Sequence, residues 1–153
     1  MKIIVLAILL TFYTSNIDCN KKFEIVKATS KEWKGGTQES GYGTYYELTI
    51  VPKVNSGILR FDKLWIGETY FQVSCFQKGK RVKNDTFGAG DTITIMLNDE
   101  TVPKSETFDI NNIEDSVLPK EYSGEALLSY VYSGKRKYST IKKFTRIEPI
   151  YYP

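Results

Sequence analysis

Histidine is absent from the 153 residues of the chain. Its absence removes the commonest general base, the commonest zinc ligand and every Ser–His or Cys–His nucleophile pair. An enzyme built from this chain would need a carboxylate pair or a Ser–Lys arrangement, and no spacing in the sequence indicates either. We therefore expect a protein that is not an enzyme, with no catalytic residue, no metal site and no cofactor.

Long hydrophobic runs are also absent. The apolar stretch at residues 3–12 is too short for a membrane-spanning helix, which needs about 20 apolar residues. It follows Met1 and Lys2 and has the length of the apolar core of a secretory signal. We expect residues 1–18 to be a signal peptide with a short signal helix, and residues 19–153 to form a single domain.

Cysteine is scarce, since the chain contains two, Cys19 and Cys75. Cys19 follows the apolar run and a polar segment, as in bacterial lipoproteins, in which such a cysteine becomes the lipid-modified N-terminus. Asp18 and Asn16 stand where a typical lipobox has a small and an aliphatic residue, so cleavage near Ser15 without lipidation is the alternative. Lipid attachment at Cys19 would tether the domain to a membrane.

Neither sign of charge is in strong excess, because 21 basic residues face 18 acidic ones and the net charge is +3. The basic residues form only two short clusters, over residues 78–83 and 135–137. Clusters of this size are typical of solvent-exposed hairpin ends, so we expect no nucleic-acid partner.

What the chain does contain is a series of short segments in which apolar and polar residues alternate. Over residues 45–50, Tyr46, Leu48 and Ile50 form one apolar face, as in a half-buried strand. Comparable segments predict strands over residues 22–28, 59–66, 71–75, 92–97, 126–132 and 137–147. Turn residues separate the segments, and Ser133-Gly134 predicts a hairpin between the last two strands.

Many short strands of this kind predict an all-β fold. We expect a single antiparallel immunoglobulin-like β-sandwich of seven to eight strands, with a small closed β-barrel as the alternative. Two segments depart from alternation. Residues 110–117 have apolar side chains at helical spacing, which predicts a short helical turn before Pro119. Apolar residues recur at intervals of three between 138 and 147, which predicts a β-bulge near residues 142–143.

Three further features of the sequence are Cys75, the segment 88–91 and the carboxylates over residues 99–115. Alternation puts Cys75 on the apolar face of its strand, so we expect a buried, reduced and unreactive thiol. The segment 88–91, Gly-Ala-Gly-Asp, lacks the Lys and Ser or Thr of a phosphate-binding loop and precedes a strand, so we expect a turn. The carboxylates over residues 99–115 lack the spacing of a calcium loop.

Aromatic residues make up 14% of the chain, and most are expected inside sheets, which favour them. Those exposed on one face could instead form a platform for sugar or peptide. The candidates are Trp33, Tyr42, Tyr45, Tyr46, Trp65, Tyr70, Tyr151 and Tyr152. Partners are expected to contact strand edges or the loops near residues 35–43 and 98–123.

Several segments carry a resemblance to a known group of proteins. They are Cys19-Asn20-Lys21-Lys22, Glu32-Trp33-Lys34-Gly35-Gly36, Gly41-Tyr42-Gly43-Thr44-Tyr45-Tyr46, Asp62-Lys63-Leu64-Trp65-Ile66-Gly67, Gly90-Asp91-Thr92-Ile93-Thr94-Ile95 and Gly124-Glu125-Ala126-Leu127-Leu128-Ser129-Tyr130. Together they resemble the small, uncharacterised lipoproteins of Bacteroidota with an immunoglobulin-like β domain. The resemblance implies a location in the cell envelope and no particular activity.

Within such an envelope, the expected location is the outer membrane, facing the periplasm. Surface-exported members of the group often have acidic residues directly after the cysteine, whereas this chain has Asn20-Lys21-Lys22. A secreted protein is the alternative. The expected function is a structural or protein-binding role in the envelope, and the alternative is a glycan- or peptide-binding module that uses exposed aromatic residues.

The mature protein is predicted to start at Cys19 and to partition with membranes. A single acyl chain gives only marginal binding, whereas two or more make anchoring stable. Mass spectrometry of the mature N-terminus should therefore give a diacylglycerol-modified Cys19. An unmodified start at Asn16 or nearby would contradict the prediction.

Overall fold

A computed structural model gives the fold of the chain and describes residues 19–20, 22–101 and 117–153. The signal peptide predicted over residues 1–18 lies outside these ranges, and so does nearly all of the helical turn predicted over residues 110–117. Within the described ranges, no helix has the length and apolar character needed to cross a membrane.

The described residues form eleven strands in two sheets that pack face to face. In chain order they are β1 (Cys19–Asn20), β2 (Phe23–Lys34), β3 (Tyr42–Pro52), β4 (Leu59–Ile66), β5 (Thr69–Gln72), β6 (Cys75–Gln77), β7 (Lys80–Arg81), β8 (Ile93–Thr101), β9 (Ala126–Tyr132), β10 (Lys135–Ile141) and β11 (Thr145–Tyr151). The long sheet has the order β1-β2-β3-β8-β6-β7, with β11 also paired to β2, and the short sheet has the order β10-β9-β4-β5. The predicted β-sandwich is confirmed, and the described residues do not form the alternative barrel.

The strand order is that of an immunoglobulin-like sandwich. In such domains, strands A, B, E and D form one sheet and strands C, F and G form the other. Here β2, β3, β8 and β6 take the first four places, while β4, β9 and β10 take the other three, with β5 as an added edge strand. The last strand, β11, extends the long sheet by pairing in parallel with β2.

Within the described ranges, the chain crosses from the short sheet to the long sheet at two points. The strand predicted over residues 71–75 is in fact two strands, because β5 ends at Gln72 in the short sheet and β6 begins at Cys75 in the long sheet. Side-chain alternation continues through the crossing, since Val73 and Cys75 are both buried. The sequence pattern therefore does not reveal this crossing.

The β-bulge predicted near residues 142–143 is wrong. At this point β10 ends in the short sheet, and residues 142–144 carry the chain across to β11 in the long sheet. Ile141 and Phe144 both lie in the core although they are three residues apart, because the crossing restarts the alternation. The backbone N–H of Phe144 donates a hydrogen bond to Oε2 of Glu125 at 2.7 Å, which holds the crossing in place.

The core lies between the two sheets and is filled by aliphatic and aromatic side chains from both. Phe23 of β2 contacts two rings of the short sheet, Phe61 and Tyr130, edge to face with ring centroids 5.0 Å apart. Burying a side chain of this size stabilises the fold by roughly 1.5–3 kcal/mol. Other fully or nearly fully buried members are Leu48, Ile50, Leu59, Leu64, Ile93, Ile95, Ala126, Leu128 and Phe144.

The hairpin predicted at Ser133-Gly134 is confirmed. Tyr132 of β9 pairs with Lys135 of β10, which leaves a two-residue turn. Both turn residues have positive φ, 48° at Ser133 and 75° at Gly134, as a type I′ turn requires.

Cys75 is buried, as predicted, with 1% of its surface exposed. It belongs to the core together with Val73, and Phe71 packs against the same cluster. Burial raises the pKa of the Cys75 thiol to about 12, and the nearby Asp85 carboxylate contributes to the shift. The thiolate is therefore scarce at neutral pH.

We predict slow labelling of Cys75 by a thiol reagent in the native protein. With Cys19→Ser as background, Cys75 is the one remaining thiol. Because an ordinary cysteine has a pKa near 8.5, we expect native labelling at pH 8 to be about a thousandfold slower than in the urea-unfolded chain. Labelling at similar rates in both states would contradict the burial of Cys75.

The same pKa shift predicts that stability falls at high pH. The unfolded thiol loses its proton at lower pH than the folded one, so unfolding becomes more favourable as pH rises from about 9 towards 12. Urea unfolding across this range should show a steeper fall for the chain with Cys75 than for Cys75→Ala. Equal slopes for the two proteins would show that the thiol does not contribute.

Candidate functional site

The strands of the two sheets differ in length, and this leaves one end of the long sheet uncovered. Strands β2 and β3 have 12 and 11 residues, whereas β4 and β9 have 8 and 7. The short sheet covers the beginning of β2, where Phe23 is fully buried. It does not reach the end of β2, where Glu32 and Lys34 are exposed. At that end, the inner face of the long sheet becomes a groove open to solvent.

Two rows of side chains form the floor of this groove, because residues paired across neighbouring strands point to the same face. The first row consists of Glu32, Thr44 and Asp99. The second row consists of Tyr151, Lys34, Tyr42 and Thr101. The groove has a volume of about 670 Å³, and its lining also includes Trp33, Gly43, Pro149 and Ile150.

The two tyrosines of the groove are largely exposed, Tyr42 at 59% and Tyr151 at 74% of their surface. A tyrosine offers a flat apolar ring together with a hydroxyl group. The carboxylates of Glu32 and Asp99 accept hydrogen bonds, and the hydroxyl of Thr44 can both donate and accept them. The groove thus combines stacking surfaces with hydrogen-bonding groups on a single concave surface.

Behind the groove, on the outer face of the long sheet, Trp33 organises the same strands. Its ring stacks on Tyr45 with a centroid distance of 5.9 Å and an interplanar angle of 26°. Its Nε1 donates a hydrogen bond to Oδ1 of Asn98 at 2.9 Å, and Nδ2 of Asn98 donates to Oε2 of Glu100 at 2.8 Å. Trp33 therefore ties β2 to β3 and β8 directly beneath the floor of the groove.

Gly43 is required for this arrangement because the indole of Trp33 lies across it. A Cβ atom at position 43 would stand 2.8 Å from Nε1 of Trp33 and in even closer contact with the backbone oxygen of Asp99. Only glycine leaves room for the indole to reach Asn98.

The end of β11 is held against the groove by Tyr152. Its backbone N–H donates to the carbonyl oxygen of Lys34 at 3.0 Å, and its ring meets Trp33 edge to face at 6.2 Å. A hydrogen bond with Tyr152 is the main cause of a Tyr45 pKa above its ordinary value of 10. These contacts hold the neighbouring Tyr151 at the rim of the groove.

Of the residues singled out in the sequence, Cys19 lies far from this groove. Its backbone forms β1 and pairs with Glu24 near the beginning of β2, whereas the groove lies at the end of β2. Lipid attachment at Cys19 stays a prediction. The loop at 35–43 and the first residues of the segment 98–123 meet at the groove, since Tyr42 pairs with Thr101.

The aromatic candidates separate into three groups. Trp33, Tyr42, Tyr45, Tyr151 and Tyr152 gather around the end of the long sheet that carries the groove. Tyr46 instead points into the core, where its ring lies 4.9 Å from that of Phe144. Trp65 and Tyr70 lie in the short sheet with ring centroids 6.3 Å apart.

The remaining motifs have structural roles. Residues 88–91 form a turn, as predicted, in which Oδ2 of Asp91 accepts a hydrogen bond from the Gly88 N–H at 2.7 Å. Asp99 and Glu100 belong to β8 and not to a connection between strands. Among the described residues, no group of three potential metal ligands is found. The carboxylates at 109, 114 and 115 lie outside the described ranges.

Sequence patterns missed six groove residues, namely Glu32, Lys34, Thr44, Thr101, Pro149 and Ile150. The predicted strands ended at residues 28 and 97, whereas β2 continues to 34 and β8 to 101. Beyond the short sheet, the inner face of these strands also meets solvent, so polar residues stand on it and apolar alternation disappears. In this stretch of β2, Trp33 is the one residue that the sequence marks as a candidate, because it is aromatic.

We predict that Gly43→Ala destabilises the protein by roughly 1–3 kcal/mol, the usual range for an overpacked site. The added methyl group must displace the Trp33 indole and break its hydrogen bond with Asn98. Urea unfolding followed by circular dichroism measures the loss. The matched control is Gly88→Ala, whose methyl group would meet its nearest neighbour at an ordinary 3.4 Å. Equal stabilities for the two variants would contradict the role of Gly43.

Comparison with other proteins gives no assignment for this chain. No protein-family model matches it. Neither the curated proteins nor the solved structures provide a match. Its function must therefore be argued from the groove and from the chemistry of the residues that line it.

Proposed function

We propose that the chain is an exported, lipid-anchored and non-enzymatic envelope protein whose groove binds a glycan. The observation that carries the proposal is the combination of two exposed tyrosine rings, Tyr42 and Tyr151, with carboxylate and hydroxyl groups on one concave surface. An exposed aromatic surface is the feature that favours a ligand-binding module over a purely structural or protein-binding role.

The chemistry of the groove suits a sugar chain. The C–H faces of sugar rings are apolar and stack on aromatic rings, while their hydroxyl groups donate hydrogen bonds to carboxylates. Glu32 and Asp99 lie on either side of Thr44 in the first row, so acceptors are present across the floor. Two carboxylates favour neutral or amino sugars over acidic ones, because like charges repel.

Strand addition of a peptide is disfavoured at the edge of β11, next to the groove. Pro149 has no N–H to offer a new strand, and the pairing of β11 shifts register between Ile147 and Ile150. Both features protect a sheet edge from further pairing. A ligand of this groove would therefore be held by side chains.

A lipid at Cys19 would leave the groove accessible. Cys19 pairs with Glu24, and Glu32 stands eight residues further along β2. At roughly 3.3 Å per residue, the groove lies about 25 Å from the anchored end of the strand. Anchoring in an outer membrane would then hold the groove away from the bilayer in the periplasm, and a secreted form would expose the same groove.

A binding role fits the groove better than catalysis. General acid–base catalysis of glycosyl transfer relies on a carboxyl group shielded from water beside a second carboxylate. Glu32 is exposed, and it shares its row with Asp99 across a groove open to solvent. Such groups are suited to hydrogen bonding with a ligand.

We predict that Tyr42→Ala and Tyr151→Ala each weaken glycan binding about tenfold or more, the usual effect of removing an aromatic anchor. A glycan array of neutral, amino and acidic oligosaccharides identifies the ligand, and calorimetry with the best binder measures the dissociation constant. Asp99→Asn should weaken the same binding by removing a charged acceptor.

The matched control is Met96→Ala, which trims a side chain that is 40% exposed on β8 outside the groove. It should bind like the unaltered protein. If an array with short peptides gives binding and the glycans give none, the ligand class is wrong. Release of shortened oligosaccharides from the bound glycan would overturn the non-enzymatic part of the proposal.

A further inference from the structure

The end of the sandwich opposite the groove collects basic side chains from separate parts of the sequence. At this end β2 begins, β3 ends, and the β6–β7 and β9–β10 hairpins turn. We call it the basic end, and the lysines that define it are Lys22, Lys53, Lys78, Lys80, Lys135 and Lys137. The two short basic clusters of the sequence lie far apart in the chain and meet here with the beginning of β2.

Three of these lysines are joined by direct contacts. Nζ of Lys22 lies 4.4 Å from the centre of the Tyr132 ring, and Nζ of Lys137 lies 6.0 Å from the same ring. The backbone N–H of Lys53 donates to the carbonyl oxygen of Lys22 at 2.8 Å. The starts of β2 and β10 and the end of β3 therefore meet around one tyrosine.

Strand register adds the β6–β7 hairpin to this end. Cys75 pairs with Ile95, and Phe76 pairs with Thr94, so β6 runs towards the beginning of β8. The beginning of β8 lies beside the end of β3, since Ile93 pairs with Ile50. The turn at residues 78–79 therefore lies at the basic end.

Several carboxylates near this end are already engaged. Asp62 forms a 2.7 Å ion pair with Arg136, and Oδ1 of Asp85 accepts a hydrogen bond from the Cys75 N–H at 2.7 Å. Asp91 accepts hydrogen bonds from the backbone of Gly88 and from the side chain of Gln77. Glu24, which pairs with Cys19 of β1, is a fourth acidic residue near this end. These four acids are fewer than the six lysines of the basic end, and Asp62 already pairs with Arg136, so this end has an excess of positive charge.

Two further features of the basic end suit a membrane. Ile58 is 44% exposed there, and its carbonyl oxygen accepts a hydrogen bond from the N–H of Ser133 in the β9–β10 turn. An exposed aliphatic side chain among lysines is typical of surfaces that lie against lipid headgroups. Cys19 and Asn20 pair with Glu24 and Phe23 at the same end.

We propose that the basic end binds the surface of a membrane that contains anionic phospholipids. The lysines contact the headgroup phosphates, and they fix the orientation of the domain so that the groove points away from the bilayer. The inference rests on the proposed function only for the position of the lipid anchor. The lysines bind anionic lipid whether or not the anchor is present. Each lysine close to an anionic surface strengthens binding roughly fivefold.

The test uses the chain from Cys19 onwards, which holds both sheets and the whole described core, with Cys19→Ser to remove the lipid. Its binding to phosphatidylglycerol-containing vesicles and to phosphatidylcholine vesicles is measured by co-sedimentation at low and high salt. We expect salt-sensitive binding to the anionic vesicles only. The triple variant Lys78→Gln, Lys80→Gln, Lys135→Gln should bind about a hundredfold more weakly.

The matched control removes the same charge elsewhere, through Lys120→Gln, Lys142→Gln and Lys143→Gln. These lysines are exposed and lie outside the basic end, so the control should bind anionic vesicles almost as well as the parent. Equal losses in the two triple variants, or equal binding to neutral vesicles, would overturn the proposal. Tighter binding to duplex DNA than to anionic vesicles at the same salt would also overturn it. Glycan binding by the same variants keeps the two proposals separable, because neither triple variant alters the groove.

Discussion

The unequal length of the two sheets is the constraint on which the rest of the molecule depends. Where the short sheet covers the long one, the inner face is a dry core built around Phe23 and its ring contacts. Beyond the end of the short sheet, the same face of the long sheet carries polar and aromatic side chains and forms the groove. One continuous sheet therefore supplies stability over part of its length and a binding surface over the remainder.

The sequence predicts the covered part of the fold well and the uncovered part poorly, for one physical reason. Apolar alternation arises only where one face is buried, so the strands at Leu48 and Ile95 could be recognised and the ends of β2 and β8 could not. The groove residues lie in those ends. Trp33 and Tyr42 stand out in the sequence as aromatic residues, but their nearness to Asp99 follows from strand register, which a single sequence does not specify.

The crossings between sheets mark a second limit. A strand that changes sheets can keep its alternation, as at Val73 and Cys75, or interrupt it, as between Ile141 and Phe144. Only an interrupted alternation can be seen in the sequence, and a β-bulge would interrupt the alternation in the same way. The distribution of charge is hidden in the same way, since lysines far apart in the chain meet only after the hairpins are arranged around Tyr132.

Trp33 has a consequence for how ligand occupancy of the groove could be observed. It stands between Glu32 and Lys34, whose side chains lie on the groove side of β2, while its own ring lies on the opposite face against Tyr45. A ligand that shifts this strand would alter the surroundings of the indole. The other tryptophan, Trp65, lies in the short sheet and is 2% exposed. The change in fluorescence on filling the groove would therefore come mainly from Trp33, which makes this residue an intrinsic optical reporter of the groove.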